Sequence, residues 1–149
     1  VLQFGSGSDI VVGWNATYQR IDLGGGNDWF ADFSSPGGGA GVDVYRYMTV
    51  GDSNAAGGFD AIAQFQVGVD KIDLSAIDAN TTINGDQAFT FGALQAGQAG
   101  RLQIVTAGSY VLVQGDVNGD GVADIAFFVY GESGGGAVPV TPAAGDFVL

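Results

Sequence analysis

The 149-residue chain contains no cysteine and no histidine. Those two absences remove disulfide staples, thiolate and imidazole metal sites, and every nucleophile–base pair built on either side chain. Basic residues are nearly absent as well: four Lys and Arg stand against sixteen Asp and Glu, a net charge of −12. Such a chain repels nucleic acid and anionic membrane surfaces and attracts cations. No run of eighteen apolar residues occurs, so no membrane insertion is expected. The sequence opens at Val1 with neither methionine nor a basic leader, which reads as a boundary inside a longer protein.

What is present is 46% apolar, 11% aromatic and rich in glycine, with 27 of them. That composition excludes disorder, and the length suits one domain that buries roughly 70% of its unfolded surface. The remaining ligand chemistry is carboxylate, amide, hydroxyl and backbone carbonyl, the set preferred by hard cations such as Ca²⁺. Only paired carboxylates could catalyse, and none stands apart from the cation motifs, so the chain reads as a non-enzyme.

Three segments share one pattern: FGSGSDIVV (4–12), LGGGNDWFA (23–31) and GGAGVDVYR (38–46). Each carries glycine at its second and fourth places, Asp at its sixth and a bulky apolar residue at its eighth. This is the nonapeptide of parallel β-rolls. Glycine lets the turn adopt positive φ with its carbonyls turned inward. The Asp and those carbonyls then share Ca²⁺ with a stacked turn, and the following strand points its middle residue at the core. The expected ligand positions are Gly5, Gly7 and Asp9; Gly24, Gly26 and Asp28; Gly39, Gly41 and Asp43. The expected inward residues are Val11, Phe30 and Tyr45. Turns on one side of a roll recur about every eighteen residues, two nonapeptides. Asp9 and Asp28 keep nearly that spacing, whereas Asp43 fits no stacking register. The intervening GWNATYQRI lacks the Asp, so no matching site is expected opposite. Metal-free Gly-Asp hairpin turns are the competing reading of these segments.

Beyond the repeats, AIAQFQV and AFTFG alternate apolar and polar residues as half-buried strands do, and YVLVQ and DIAFFVY flank a turn. Together DAIAQFQVGVDKIDLSAIDAN (60–80), AGRLQIV (99–105), YVLVQGDVNGDGVADIAFFVYG (110–131) and the final DFVL resemble the C-terminal domain of serralysins, secreted bacterial zinc proteases with RTX repeats. The resemblance implies an all-β fold: a short RTX parallel β-roll over residues 1–50, then an antiparallel, sandwich-like cap over 51–149. It also implies calcium as cofactor, and an uncleaved secretion signal at about 140–149 read by a type I (ABC) exporter. Similar modules follow other passengers, and the protease motif H-E-x-x-H cannot occur in a chain without histidine.

Within GDVNGDGVAD, Asp116, Asn118, Asp120, Val122 and Asp124 fall on positions 1, 3, 5, 7 and 9 of an EF-hand loop. Position 12 is Phe127, however, and Asn118-Gly119 and Asp120-Gly121 are also hairpin-turn dipeptides; calcium loop and plain hairpin both stay open. Asp60, Asp70, Asp73 and Asp78 read mainly as turn caps or acceptors of backbone hydrogen bonds. The tail ends Asp146-Phe147-Val148-Leu149, an acid before an apolar triplet, which by the resemblance is the exporter signal and by itself is an edge strand. As a short linear motif its removal is expected to leave the fold largely intact. The leading functional expectation is a calcium-dependent folding and type I secretion module of a protein found outside the cell or on its surface. The alternatives are a surface-layer or filament subunit, self-associating through Gly-rich faces and the aromatics Trp14, Tyr18 and Trp29, or the non-catalytic end of a secreted metalloprotease.

Overall fold

The computed structural model describes residues 1–13, 18–32, 41–133 and 136–149. Its first strands run alternately into two sheets. β1 (Leu2–Gln3), β3 (Tyr18–Asp22), β5 (Val42–Arg46) and β7 (Lys71–Asp73) form one sheet. β2 (Ile10–Gly13), β4 (Trp29–Asp32) and β6 (Asp60–Ala63) lie in the other. Every neighbouring pair among them is parallel. A chain that visits each sheet once per coil makes a roll, and its two-faced strands need bury only the side turned to the opposite sheet. Val11, Phe30 and Tyr45 do face inward. Ile21, Ile62 and Ile72 join them at complete burial, and Phe30 meets Tyr45 edge to face at 5.0 Å.

The second sheet then changes character. β6 pairs in parallel with β11 (Ile125–Ser133), which is antiparallel to β10 (Tyr110–Asp116), itself antiparallel to β9 (Arg101–Ala107). β8 (Thr90–Phe91) closes that edge, and β12 (Gly136–Pro139) folds back on β11. The cap therefore continues the roll's own core: Tyr47 from the roll stacks on Phe127 from β11 at 4.5 Å. The expected all-β roll with an antiparallel cap is what the chain forms. Two expected strands are shorter than their alternation suggests. AIAQFQV is extended only through Ala63, because Gln64 takes a φ of 62° and turns the chain away. AFTFG contributes only Thr90 and Phe91.

The last element is β13 (Phe147–Val148), entered through a short 3-10 turn, Ala144–Asp146. It adds to the five-stranded sheet in parallel with β7. The tail is therefore a rung of the roll as well as the end of the chain.

Candidate metal centre

The stacking begins with two turns that lie directly over one another. Ile10 to Gly13 register on Trp29 to Asp32, and the Trp29 amide donates to the Asp9 carbonyl at 2.9 Å. Gly24 and Gly26 have φ of 76° and 139°. A side chain at either would collide with the turn beneath: a Cβ on Gly24 falls 2.7 Å from the Phe4 carbonyl oxygen, and one on Gly26 falls 2.8 Å from the Gly7 carbonyl carbon. Glycine is thus needed twice over, for the backbone conformation and for the approach of the two turns.

The aspartates staple successive coils. Asp28 Oδ1 accepts the Asp9 amide at 2.8 Å, nineteen residues away, and Asp60 Oδ1 accepts the Asp28 amide at 2.9 Å, thirty-two residues away. On the other sheet Asp70 Oδ1 accepts the Asp43 amide at 3.1 Å and its Oδ2 accepts the Gln66 amide at 2.9 Å. Asp43, which fits no register with Asp28, is therefore in step with Asp70 on the opposite sheet. The continuing rungs, Asp60 and Asp70, were legible only as an Asp followed two residues later by an apolar residue. Phe59-Asp60-Ala61-Ile62 and Val69-Asp70-Lys71-Ile72 repeat Asn27-Asp28-Trp29-Phe30 in that respect.

Each of the first two staples uses one carboxylate oxygen and leaves the other. Oδ2 of Asp28 is buried without a hydrogen bond, a costly state for an ionised group unless something positive compensates it. The Asp60 carboxylate has the buried Tyr47 hydroxyl as a further hydrogen-bond partner. Burial pushes the Asp60 carboxyl up from 3.8 to about 7, against the Asp28 amide that favours its charge, and Asp28 and Asp52 raise it further. Burial also raises Asp28, opposed by its bond to Asp9 and reinforced by the charges of Asp9 and Asp52. The Tyr47 hydroxyl is buried beside Asp60, held well above its ordinary range by desolvation first and by that carboxylate second.

This donor set fits calcium. It consists of oxygen alone, it includes the buried and unpaired Oδ2 of Asp28, and the carbonyls of Phe4 and Gly7 lie directly beneath the Gly24 and Gly26 turn. Among the described residues no three carboxylates converge in one cage, so backbone carbonyls have to supply most of any cation's shell. Of the other expected ligands, Gly39 lies outside the described residues and Gly41 immediately precedes β5. Trp14 and the side chain of Tyr18 are likewise outside them, while Trp29 donates its indole N–H to the Tyr130 hydroxyl at 2.6 Å.

The 116–124 loop is built differently. Asp116 is fully buried and accepts the Asn118 and Gly119 amides through Oδ1 at 3.1 and 2.6 Å, and the Gly121 amide through Oδ2 at 2.8 Å. Asp124 takes the Val117 amide and the Asn118 side chain, both at 2.8 Å, and Asp120 takes the Val122 amide at 2.7 Å. The carboxylates are satisfied by the loop's own amides, and Gly119 and Gly121 supply its positive φ values of 78° and 85°. At the tail, Asp146 is buried and accepts the Gly68 amide at 2.9 Å and the Ala143 amide at 2.8 Å. Phe147 enters the main core and meets Phe91 at 5.4 Å, and Val148 accepts the Leu74 amide at 2.9 Å. The tail is therefore packed as the last rung of the roll, with more contacts than a free linear motif needs.

No curated protein matches the chain. The family described as Peptidase M10 serralysin C terminal matches residues 3–133, which takes in the stacked turns, the three Asp staples and the cap through β11. With that match over most of its length, the chain belongs to the serralysin C-terminal family.

Proposed function

We propose that the chain is a calcium-dependent folding and export module. The family is the C-terminal, non-catalytic part of secreted serralysin-type proteins, and among the described residues no helix is long and apolar enough to cross a membrane. The observation that carries the proposal is the buried Oδ2 of Asp28, which has no hydrogen bond and lies between stacked turns under the repulsion of the Asp9 and Asp60 carboxylates. Without a cation these carboxylates repel one another inside a chain of net charge −12. With one, the same oxygen becomes a ligand. A site at a hundred times its dissociation constant contributes about 2.7 kcal/mol, so two or three such sites decide the fate of a marginal domain.

Extracellular calcium modules bind at roughly 10⁻⁴–10⁻³ M. Before export the chain would stay unfolded, available to a type I exporter that reads Asp146 to Leu149, and would fold on meeting calcium outside. Far-UV circular dichroism in chelator and then in millimolar calcium tests the first half: the β signal is expected only with calcium, and an unchanged spectrum in chelator would sink the reading.

Assembly into a surface layer or filament is a second reading, favoured by one observation. Ile10, Trp29, Ala61, Phe128, Leu112 and Val105 register in one unbroken apolar row across six strands of the eight-stranded sheet. They alternate with inward residues such as Phe30 and Phe127 and so face outward. The five-stranded sheet instead carries all three ion pairs found among the described residues. Sedimentation that becomes concentration-dependent when calcium is added would favour this reading over the module alone.

A further inference from the structure

Three of the four basic residues are matched to carboxylates: Arg20 to Asp22, Arg46 to Asp73 and Lys71 to Asp146. Arg101 is not. It opens β9 directly across from Asp116 on β10, where an acid would ordinarily pair with it. The Asp116 carboxylate is instead consumed by the amides of Asn118, Gly119 and Gly121. Arg101 gives Nε and Nη2 to the neutral side-chain oxygen of Gln98, at 3.0 and 2.6 Å. In so acidic a chain, a half-buried guanidinium without a carboxylate is conspicuous, because a matching anion is what its planar fork binds best.

Arg101 also borders a cavity of about 450 Å³, open to solvent, a size within the roughly 300–1,000 Å³ of small-molecule sites. Its other polar walls are Asn80, Thr82, Thr90, Gln98 and Asn118, and among the described residues no acid lines it. The walls are set in place by their own bonds. Asn80 Oδ1 accepts the Thr82 amide at 3.1 Å and hydroxyl at 2.5 Å, and Asn118 gives its side-chain N–H to Asp124 at 2.8 Å. Side-chain amides and hydroxyls surround one cation whose only side-chain partner among the described residues is the neutral Gln98. They match a ligand with several hydroxyls and one carboxylate, which would displace Gln98 from the guanidinium fork. Among the described residues no aromatic ring lines the cavity, so recognition there is by hydrogen bonds and charge instead of stacking.

We propose that the Arg101 cavity binds a uronic acid unit, such as occurs in acidic polysaccharides, with the sugar carboxylate on the guanidinium and its hydroxyls on the surrounding amides and hydroxyls. This site is distinct from the stacked glycine turns, although it shares Asn118 and Gly119 with the 116–124 loop, and it does not depend on the export reading.

The test uses the full chain, folded in millimolar calcium at low ionic strength, with methyl glucuronide and methyl glucoside as probes; the two differ only in the carboxylate. Amide chemical shifts should move at residues 80–82, 90, 97–101 and 118–119 with the glucuronide, which should bind about tenfold more tightly than the glucoside. Arg101→Gln should weaken glucuronide binding by about tenfold or more. Asn80→Asp keeps the oxygen that holds Thr82 but sets a negative charge opposite the ligand, and should weaken it similarly; this variant decides the matter if Arg101→Gln fails to fold. Absence of shifts up to tens of millimolar glucuronide would overturn the proposal. So would equal response to the two sugars, or full glucuronide affinity in a folded Arg101 or Asn80 variant.

Discussion

Gly26→Ala and Gly7→Ala make the same chemical change at equivalent places in two successive turns, and they should change stability in opposite directions. At Gly26 the backbone sits at φ 139°, and a Cβ would strike the carbonyl group of Gly7 below it. Holding an L-residue in such a region costs about 1–3 kcal/mol. Forcing an extra carbon between two close-packed turns adds about 1–3 kcal/mol more. The combined loss, on the order of 2–6 kcal/mol, is a large part of the roughly 5–15 kcal/mol that holds a domain together. Gly7 has no positive φ, and nothing lies within 4 Å of where its Cβ would be. There Ala only reduces the freedom of the unfolded chain, a gain of about 0.4–1 kcal/mol. Urea unfolding in saturating calcium, followed by circular dichroism, reads both variants against the parent. With unchanged m-values, the midpoint should drop sharply for Gly26→Ala and hold or rise for Gly7→Ala. Equal losses at the two positions, or a harmless Gly26→Ala, would refute the stacking of the first coil on the second.

Three further outcomes are expected. Acid should partly replace calcium. In chelator the chain should be unfolded at neutral pH, but the folded form, with the Asp60 carboxyl at about 7, keeps a proton that the unfolded chain, near 3.8, releases, so the fold gains stability as pH falls. Stability should therefore fall as pH rises from about 4 to about 7, by about 1.4 kcal/mol per unit and on the order of 4 kcal/mol in all. Asp60→Asn should flatten that slope, and an undiminished slope in the variant would clear Asp60 of the effect. Asp116→Ala strands three backbone amides and should cost about 3 kcal/mol with or without calcium. Asp120→Ala loses one exposed bond and should cost under about 1 kcal/mol, unless calorimetry shows the calcium count dropping by one, which would make the loop a metal site. Deleting Asp146 to Leu149 removes a core phenylalanine worth about 3–5 kcal/mol by itself, so the truncated chain should unfold at lower urea even in calcium; an unshifted midpoint would mean that β13 contributes nothing.

The turn-and-strand repeat was legible because its causes are local. Positive φ at Gly24 and Gly26 and the inward course of Val11 and Phe30 follow from residues within a few places of each other. The vertical partners were less legible, because coil length varies once the chain leaves the first two turns. Asp28 finds Asp60 only after a self-contained turn in which Asp52 accepts the Met48 and Thr49 amides, at 2.6 and 3.0 Å. Asp43 finds Asp70 across twenty-seven residues. The join between roll and cap, β6 beside β11, pairs Ala61 with Phe128, and no local pattern could announce a contact so distant in sequence. The Arg101 cavity was invisible for the same reason: its walls come from four separate stretches between Asn80 and Gly119.

The tail shows how a one-residue shift conceals a repeat. In the stacked coils the inward side chain stands two places after the Asp: Phe30 after Asp28, Tyr45 after Asp43, Ile72 after Asp70. In the tail it stands one place after, because Phe147 registers on Ile72 and Asp146 falls opposite Lys71. Side chains alternate across a strand, so a slip of one residue would ordinarily reverse its faces. Here the 3-10 turn at Ala144–Asp146 takes up the difference, placing the carboxylate where it can accept the Gly68 and Ala143 amides while Phe147 points inward. The result is one column of buried residues through the five-stranded sheet, Ile21, Tyr45, Ile72 and Phe147, paired in order. An acid followed immediately by an apolar triplet thus suits both a linear signal and this final rung. Sequence pattern could not choose between them, because the deciding feature is the register set by the turn before it.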